Sequence, residues 1–152
     1  NTAKITEIIC YCFMPNHFHF LLKQVEENGI TEFMSKLSNS YTKYFNTKNQ
    51  RVGPIFQGEF KSVHVETNEQ LLHVSRYIHL NPIISYTVKD LKNFKWSSYN
   101  EYIGEPESVL CSKEIILDQF KSRKEYEDFT LDQLEYARIL ESMKHKLLDV
   151  DQ

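Results

Sequence analysis

Two imidazoles, His17 and His19, interrupt the otherwise apolar run Tyr11-Cys12-Phe13-Met14-Pro15-Asn16-His17-Phe18-His19-Phe20-Leu21-Leu22. In a strand successive side chains alternate faces, so both histidines point one way while Phe18 and Phe20 point the other. That is a paired metal-ligand geometry. Much further along, residues 67–82 read as a helix on which Tyr77 and Asn81 stand one turn apart. The phenol would supply a nucleophile and the carboxamide an oxygen ligand. Neutral imidazole with an oxygen donor suits a divalent cation, and such a cation on a phosphate oxygen absorbs charge in the transition state. A tyrosine hydroxyl, with a pKa of about 10, is a poor nucleophile until a nearby cation or base lowers the barrier. Attack on phosphorus then forms a phosphotyrosine and frees a hydroxyl. One phosphodiester replaces another, so the step reverses without ATP. The pattern points to metal-assisted phosphoryl transfer on nucleic acid.

Each piece also has a plainer reading. Two histidines in an apolar strand can be partly buried and bonded to backbone, and a helical tyrosine is commonly a core or surface aromatic. His64, His73, His79 and His145 read as structural or surface residues, with His73 the natural exception because it stands one turn ahead of Tyr77. A zinc site recruiting Cys10 and Cys12 lacks a four-ligand spacing. A histidine-triad nucleotide hydrolase would need a third histidine where Leu21 stands.

The elements that must position these groups follow from periodicity. Residues 5–13 read as a mostly buried strand, Pro15-Asn16 as a turn and residues 17–23 as the returning strand of a hairpin. Ile30, Phe33, Met34, Leu37, Tyr41, Tyr44 and Phe45 recur at helical spacing to about residue 46. Residues 46–58, with two glycines and Pro54, read as a loop, and residues 60–66 alternate as a further strand. Thr67-Asn68-Glu69-Gln70 matches a capping box, so a helix starts there; it should stop near Asn81, because Pro82 disfavours helical geometry before it. Leu71, Val74, Ser75 and Ile78 form its core stripe. Trp96-Ser97-Ser98-Tyr99 anchors an irregular segment, and two acidic helices follow, over residues 112–120 and 130–148.

With 152 residues, 41% hydrophobic, the chain fits a single globular body with a real core. The net charge of −3 is unevenly placed: residues 1–99 carry +3 and residues 100–152 carry −6. Between Lys36 and Lys61 five bases face one acid, Glu59, a modest footprint for a polyanion, although a solvated helix face looks similar. Three cysteines cannot all pair, and Cys10 and Cys12 sit in the most apolar strand as small hydrophobes, which argues for a reducing cytoplasm. The longest strongly apolar run, Ile8 to Met14, is too short to span a bilayer and no charged-then-apolar leader precedes it, so a soluble cytoplasmic protein with no membrane partner is expected. The chain begins at Asn1 without an initiator methionine, as a fragment or trimmed product would.

The run from Tyr11 to Leu22, then Tyr44-Phe45-Asn46, Gly53-Pro54-Ile55-Phe56-Gln57-Gly58-Glu59-Phe60-Lys61-Ser62, Ser75-Arg76-Tyr77-Ile78-His79-Leu80-Asn81-Pro82 and Trp96-Ser97-Ser98-Tyr99 together resemble the HUH single-tyrosine transposases that act on single-stranded DNA. Within them the chain is similar to the REP-associated, IS200-like group, over about residues 8–102. The resemblance implies His17 and His19 as ligands of Mg2+ or Mn2+, Asn81 as an additional ligand and Tyr77 as the nucleophile. It implies an α+β, ferredoxin-like antiparallel sheet with packed helices, lacking the family's first strand and helix because only seven residues precede Ile8. Residues 1–102 would be the catalytic domain and residues 103–152 a helical C-terminal extension. The expected partner is single-stranded or hairpin DNA, at a hairpin-bearing element end, with a monomer or a homodimer as the active form. Lys48, Arg51 and Lys61 are the expected phosphate contacts. Glu59 stands where a basic residue is common. Two rival readings remain: a catalytically inactive or repurposed nucleic-acid-binding relative, and a metal-dependent phosphodiesterase that uses water.

Overall fold

The computed structural model describes residues 4–105 and 110–139. Strands β1 (Thr6–Phe13) and β2 (Phe18–Gln24) form an antiparallel hairpin, closed where the Met14 amide donates to the His17 carbonyl at 2.8 Å. Pro15 and Asn16 sit at its apex, where a missing amide hydrogen costs nothing. The expected alternation is present. The His17 and His19 rings lie 5.0 Å apart on one side, while Phe18 and Phe20 lie 5.5 Å apart on the other, in a row continued by Phe13 and Tyr11. With its helices kept apart from this hairpin in sequence, the chain is α+β. Internal packing divides it into two units, Asn1–Glu7 with Leu22–Val65 and Ile8–Leu21 with Glu66–Gln152.

The first unit is built on α1 (Gly29–Lys48). The Val25 and Glu26 amides both donate to the Ile5 carbonyl, at 3.1 and 3.2 Å, and Asn28 takes a left-handed conformation (φ 58°) to enter the helix. A Cβ at position 29 would stand 2.1 Å from that same Ile5 oxygen, so only glycine fits. Met34 is buried; Ile30, Phe33, Leu37 and Phe45 are half-buried beside it. Tyr41 and Tyr44, read as part of the same stripe, are exposed instead. Periodicity tells which way a residue faces but not whether anything covers it. Of the residues of this 20-residue helix only Gly29 and Met34, both in its N-terminal half, are buried. Beyond α1, the Asn46 side-chain Nδ2 donates to the Gly53 carbonyl at 2.9 Å. The Arg51 guanidinium in turn donates to the Asn46 side-chain oxygen at 3.1 Å and to the Pro54 carbonyl at 3.4 Å. The strand expected over residues 60–66 is absent: the segment is irregular, with Val63 91% exposed. Alternation permits an extended backbone, but a strand exists only where its amides find a ladder, and none pairs with this segment among the described residues.

In the second unit α2 (Asn68–Ile84) begins with the capping box read from sequence: Thr67 Oγ1 accepts from the Gln70 amide at 3.1 Å and the Gln70 side chain accepts from the Thr67 amide at 3.2 Å. The helix does not stop at Asn81. It runs through the buried Pro82, and the cost of a missing donor and a crowded carbonyl is offset by burial of Leu80, Ile83 and Ile84 in a cluster with Leu91 and Tyr99. Ser85 closes the end, its amide and hydroxyl both donating to the Asn81 carbonyl at 3.0 and 2.8 Å. A 3-10 turn (Leu91–Asn93), α3 (Tyr99–Ile103), the single turn α4 (Glu114–Leu117) and α5 (Arg123–Leu131) follow, with α5 packed on α2 and α3. Residues 96–98 lie along the free edge of β1: the Phe13 amide donates to the Trp96 carbonyl at 2.8 Å and the Ser98 amide to the Tyr11 carbonyl at 3.0 Å. The four-residue anchor is thus real, although the Trp96 ring itself is largely exposed. Cys10 and Cys12 are fully buried thiols, as expected of small hydrophobes.

The C-terminal helices differ from expectation. α4 is shorter than residues 112–120, and a helix is already present at residue 123, because Ser122 Oγ accepts from the Glu125 amide at 3.1 Å. The Ser122-to-Glu125 capping spacing was the available signal. A turn at residues 132–133 separates α5 from further helix at 134–139; the rest of the helix expected over 130–148 lies outside the described residues, as does His145. No described helix is long and apolar enough to cross a membrane.

Candidate functional site

His17, His19, Tyr77 and Asn81 all belong to the second unit. His17, exposed at the entry to β2, has its Nδ1 2.7 Å from Asn16 Oδ1. A carboxamide oxygen only accepts, so Nδ1 carries the proton and Nε2 keeps the lone pair. His19 is half-buried, and its Nε2 lies 3.2 Å from the Asn81 carboxamide nitrogen, which donates; here too Nε2 holds the lone pair. Burial holds His19 below the ordinary imidazole value, with the charge of His17 adding to the effect, so its neutral form is favoured at pH 7. The Tyr77 ring packs edge-on against His19, centroids 5.7 Å apart at 77°, and keeps 47% of its surface open. Asn81, one turn further on, is buried.

His73, the natural exception among the other histidines, does not join this group. Its Nδ1 lies 2.6 Å from Arg76 Nη2 and its Nε2 3.7 Å from Glu69. The Arg76 guanidinium stacks 4.2 Å over the Phe129 ring and donates to the Phe129 carbonyl at 3.1 Å, tying α2 to α5.

The rotation of α2 about its axis decides where Tyr77 points, and a buried polar network fixes it. Ser98 Oγ accepts from the Tyr11 amide at 2.9 Å and donates to the Tyr11 carbonyl at 3.3 Å. Ser98 Oγ also lies 2.8 Å from His79 Nε2, and the Tyr126 hydroxyl lies 2.8 Å from His79 Nδ1, so both ring nitrogens have a hydrogen-bond partner. The Tyr126 oxygen lies 3.5 Å from Ser75 Oγ, which donates to the Leu72 carbonyl. His79 is fully buried among Tyr99, Tyr102 and Tyr126, and burial pushes it down to about 3. Sequence reading placed His79 as structural and missed these partners. The missed signal was Ser98, inside a block already recognised as an anchor. Asn16 was missed as well, though it directly precedes His17.

The donor set fits a divalent cation. Two imidazoles offer unprotonated Nε2 atoms, and a carboxamide turned over presents its carbonyl oxygen, the donor a hard cation takes. Among the described residues no three His, Cys, Asp or Glu side chains gather at one point, and Asn81 is the carboxamide that stands beside His19.

The expected phosphate contacts belong to the first unit. Lys48 Nζ lies 3.3 Å from the Tyr44 hydroxyl, Arg51 is engaged in the loop clasp above, and Lys61 is exposed.

A family model described as "Transposase IS200 like" matches residues 2–81, a stretch that includes the histidine pair, Tyr77 and Asn81. Searches of curated proteins and of solved structures gave no match.

Proposed function

Because the chain belongs to the IS200-like transposase family, we propose that it nicks and rejoins single-stranded DNA through a 5′-phosphotyrosine formed on Tyr77, with His17, His19 and Asn81 holding Mg2+ or Mn2+. Membership carries transposase action on DNA in general terms. The observation that supports the finer reading is the half-open Tyr77 ring lying edge-on to His19, one member of an imidazole pair on a single side of the hairpin.

In the cutting step the Tyr77 oxygen bonds to phosphorus as the bond from phosphorus to the 3′ oxygen breaks. The phenol gives up its proton to solvent, to which half its surface is open, and the departing 3′ oxygen takes one. A bound divalent cation supplies charge neutralisation at the phosphate oxygens. Joining is the same exchange run backward from an incoming 3′ hydroxyl. The proposal extends to a ferredoxin-like sheet, a REP-associated subtype, hairpin-bearing DNA as substrate and a homodimer as one form of the active enzyme.

Incubating the protein with Mn2+ and an end-labelled hairpin-bearing single strand, then denaturing, should leave label on the protein; a chelator should prevent it. Cleavage with no retained label would replace the phosphotyrosine with attack by water, and neither cleavage nor retained label would leave only binding.

Asn16 is expected to act through His17. Removing its acceptor lets the imidazole proton occupy either nitrogen, so Asn16→Ala should weaken Mn2+ binding by about 10- to 100-fold while Asn16→Asp, which still accepts, should not. A Mn2+ titration followed by electron paramagnetic resonance measures both. Unchanged affinity in Asn16→Ala would remove Asn16 from the site.

A further inference from the structure

The exposed face of α1 carries a second constellation. Tyr41 and Tyr44 keep 45% and 57% of their surface open, with ring centroids 6.4 Å apart. Beside Tyr44, the residues Ser40, Lys43, Thr47 and Lys48 line a shallow hollow of about 470 Å3. Lys48 Nζ stands 5.6 Å from the Tyr44 ring centroid, near its hydroxyl edge, leaving most of the ring face open. The only acid on α1, Glu32, pairs with Lys36 a turn from the opposite end, and neither Lys43 nor Lys48 faces a carboxylate among the described residues.

These groups match the parts of one nucleotide. An open aromatic face accepts a stacked base, two uncompensated ammonium groups accept a phosphate, and two hydroxyls can bond the sugar–phosphate chain. Tyr41 rests against Phe45 and Phe56, ring centroids 6.0 Å away in each case, whereas Tyr44 is the more open of the two. Two flanking cations argue against an apolar protein partner. The orientation of Tyr41 beside Tyr44, with rings tilted by 41°, gives a neighbouring base a second surface.

We infer that this hollow is a nucleotide subsite for single-stranded DNA, in which Tyr44 stacks a base while Lys43 and Lys48 hold its phosphate. The inference rests on the reading of the chain as a single-stranded DNA enzyme and names a contact surface for that substrate. It also shifts the expected phosphate contacts, because Arg51 braces its own loop whereas Lys43 is free of carboxylates.

The test is fluorescence anisotropy of a dye-labelled oligothymidylate with the full chain, in the absence of divalent metal so that no cutting intervenes. Tyr44→Ala should bind about 5- to 150-fold more weakly, and Tyr44→Phe, which keeps the ring, close to wild type. Lys48→Gln should lower the slope of log affinity against log salt by about 0.7. An abasic strand of equal length should lose the Tyr44 dependence. Equal binding by Tyr44→Ala and wild type overturns the subsite. So does an equal loss on the abasic strand, which would mean that Tyr44 acts only structurally. Displacement of the oligonucleotide by polyglutamate as readily as by unlabelled DNA overturns it in favour of a general acidic partner. Failure of this inference and of the parent reading are separable: an adduct on Tyr77 with normal binding by Tyr44→Ala removes the subsite alone, and Tyr44-dependent binding with no adduct removes the chemistry alone.

Discussion

Tyr77→Phe should bind the hairpin-bearing strand as tightly as wild type and form no covalent adduct. The substitution removes one oxygen from a half-exposed ring and leaves the edge-on contact with His19 in place. The fold therefore has no reason to change, and neither does any binding surface that does not use the hydroxyl. Loss of the nucleophile in a covalent mechanism leaves only the residual effects of positioning, so adduct formation should fall by roughly 10^4-fold or more. Two measurements on the same sample check it: anisotropy for binding, and label retained on denatured protein for chemistry. A variant that still retains label at the wild-type rate would move the nucleophile to another residue. Loss of binding in parallel with loss of adduct would mean that the hydroxyl holds DNA rather than attacking it.

The parts of this site visible in sequence were those set by short-range rules. The spacing of His17 and His19 fixes their side of the hairpin through the period of a strand, and the step from Tyr77 to Asn81 fixes their shared face through the period of a helix. The capping box at Thr67 located the start of α2 to the residue. What failed depended on partners far along the chain. The alternation over residues 60–66 was a correct local preference with no strand beside it among the described residues, and the stripe through Tyr41 and Tyr44 was a correct angular position left about half exposed. Pro82 was read by its local penalty, whereas burial of its neighbours Leu80, Ile83 and Ile84 with Leu91 and Tyr99, which no local rule shows, decides the outcome. His79 belongs to the same class: Ser98 is 19 residues away and Tyr126 is 47 away, so the sequence shows a lone histidine where the fold shows a linked network.

That network carries the second large effect. His79 is neutral in the folded protein because burial depresses it from 6.5 to about 3, while the unfolded chain takes up a proton in the ordinary imidazole range. Between those values the unfolded state binds more protons, so stability is complete above about pH 6.5 and drains as pH falls toward 3. From pH 7 to pH 5 the loss attributable to His79 is roughly 2 kcal/mol. His19 is depressed too and contributes slope of the same sign, so the measurement that isolates His79 is the difference between wild type and His79→Gln in urea unfolding at the two pH values. The variant should be less stable at pH 7, by about 2 to 4 kcal/mol for imperfectly replaced bonds to Ser98 and Tyr126, and its stability should fall less steeply with acid. Parallel pH curves for the two proteins would show that His79 titrates in the folded protein as it does in the unfolded chain, so that burial does not depress it.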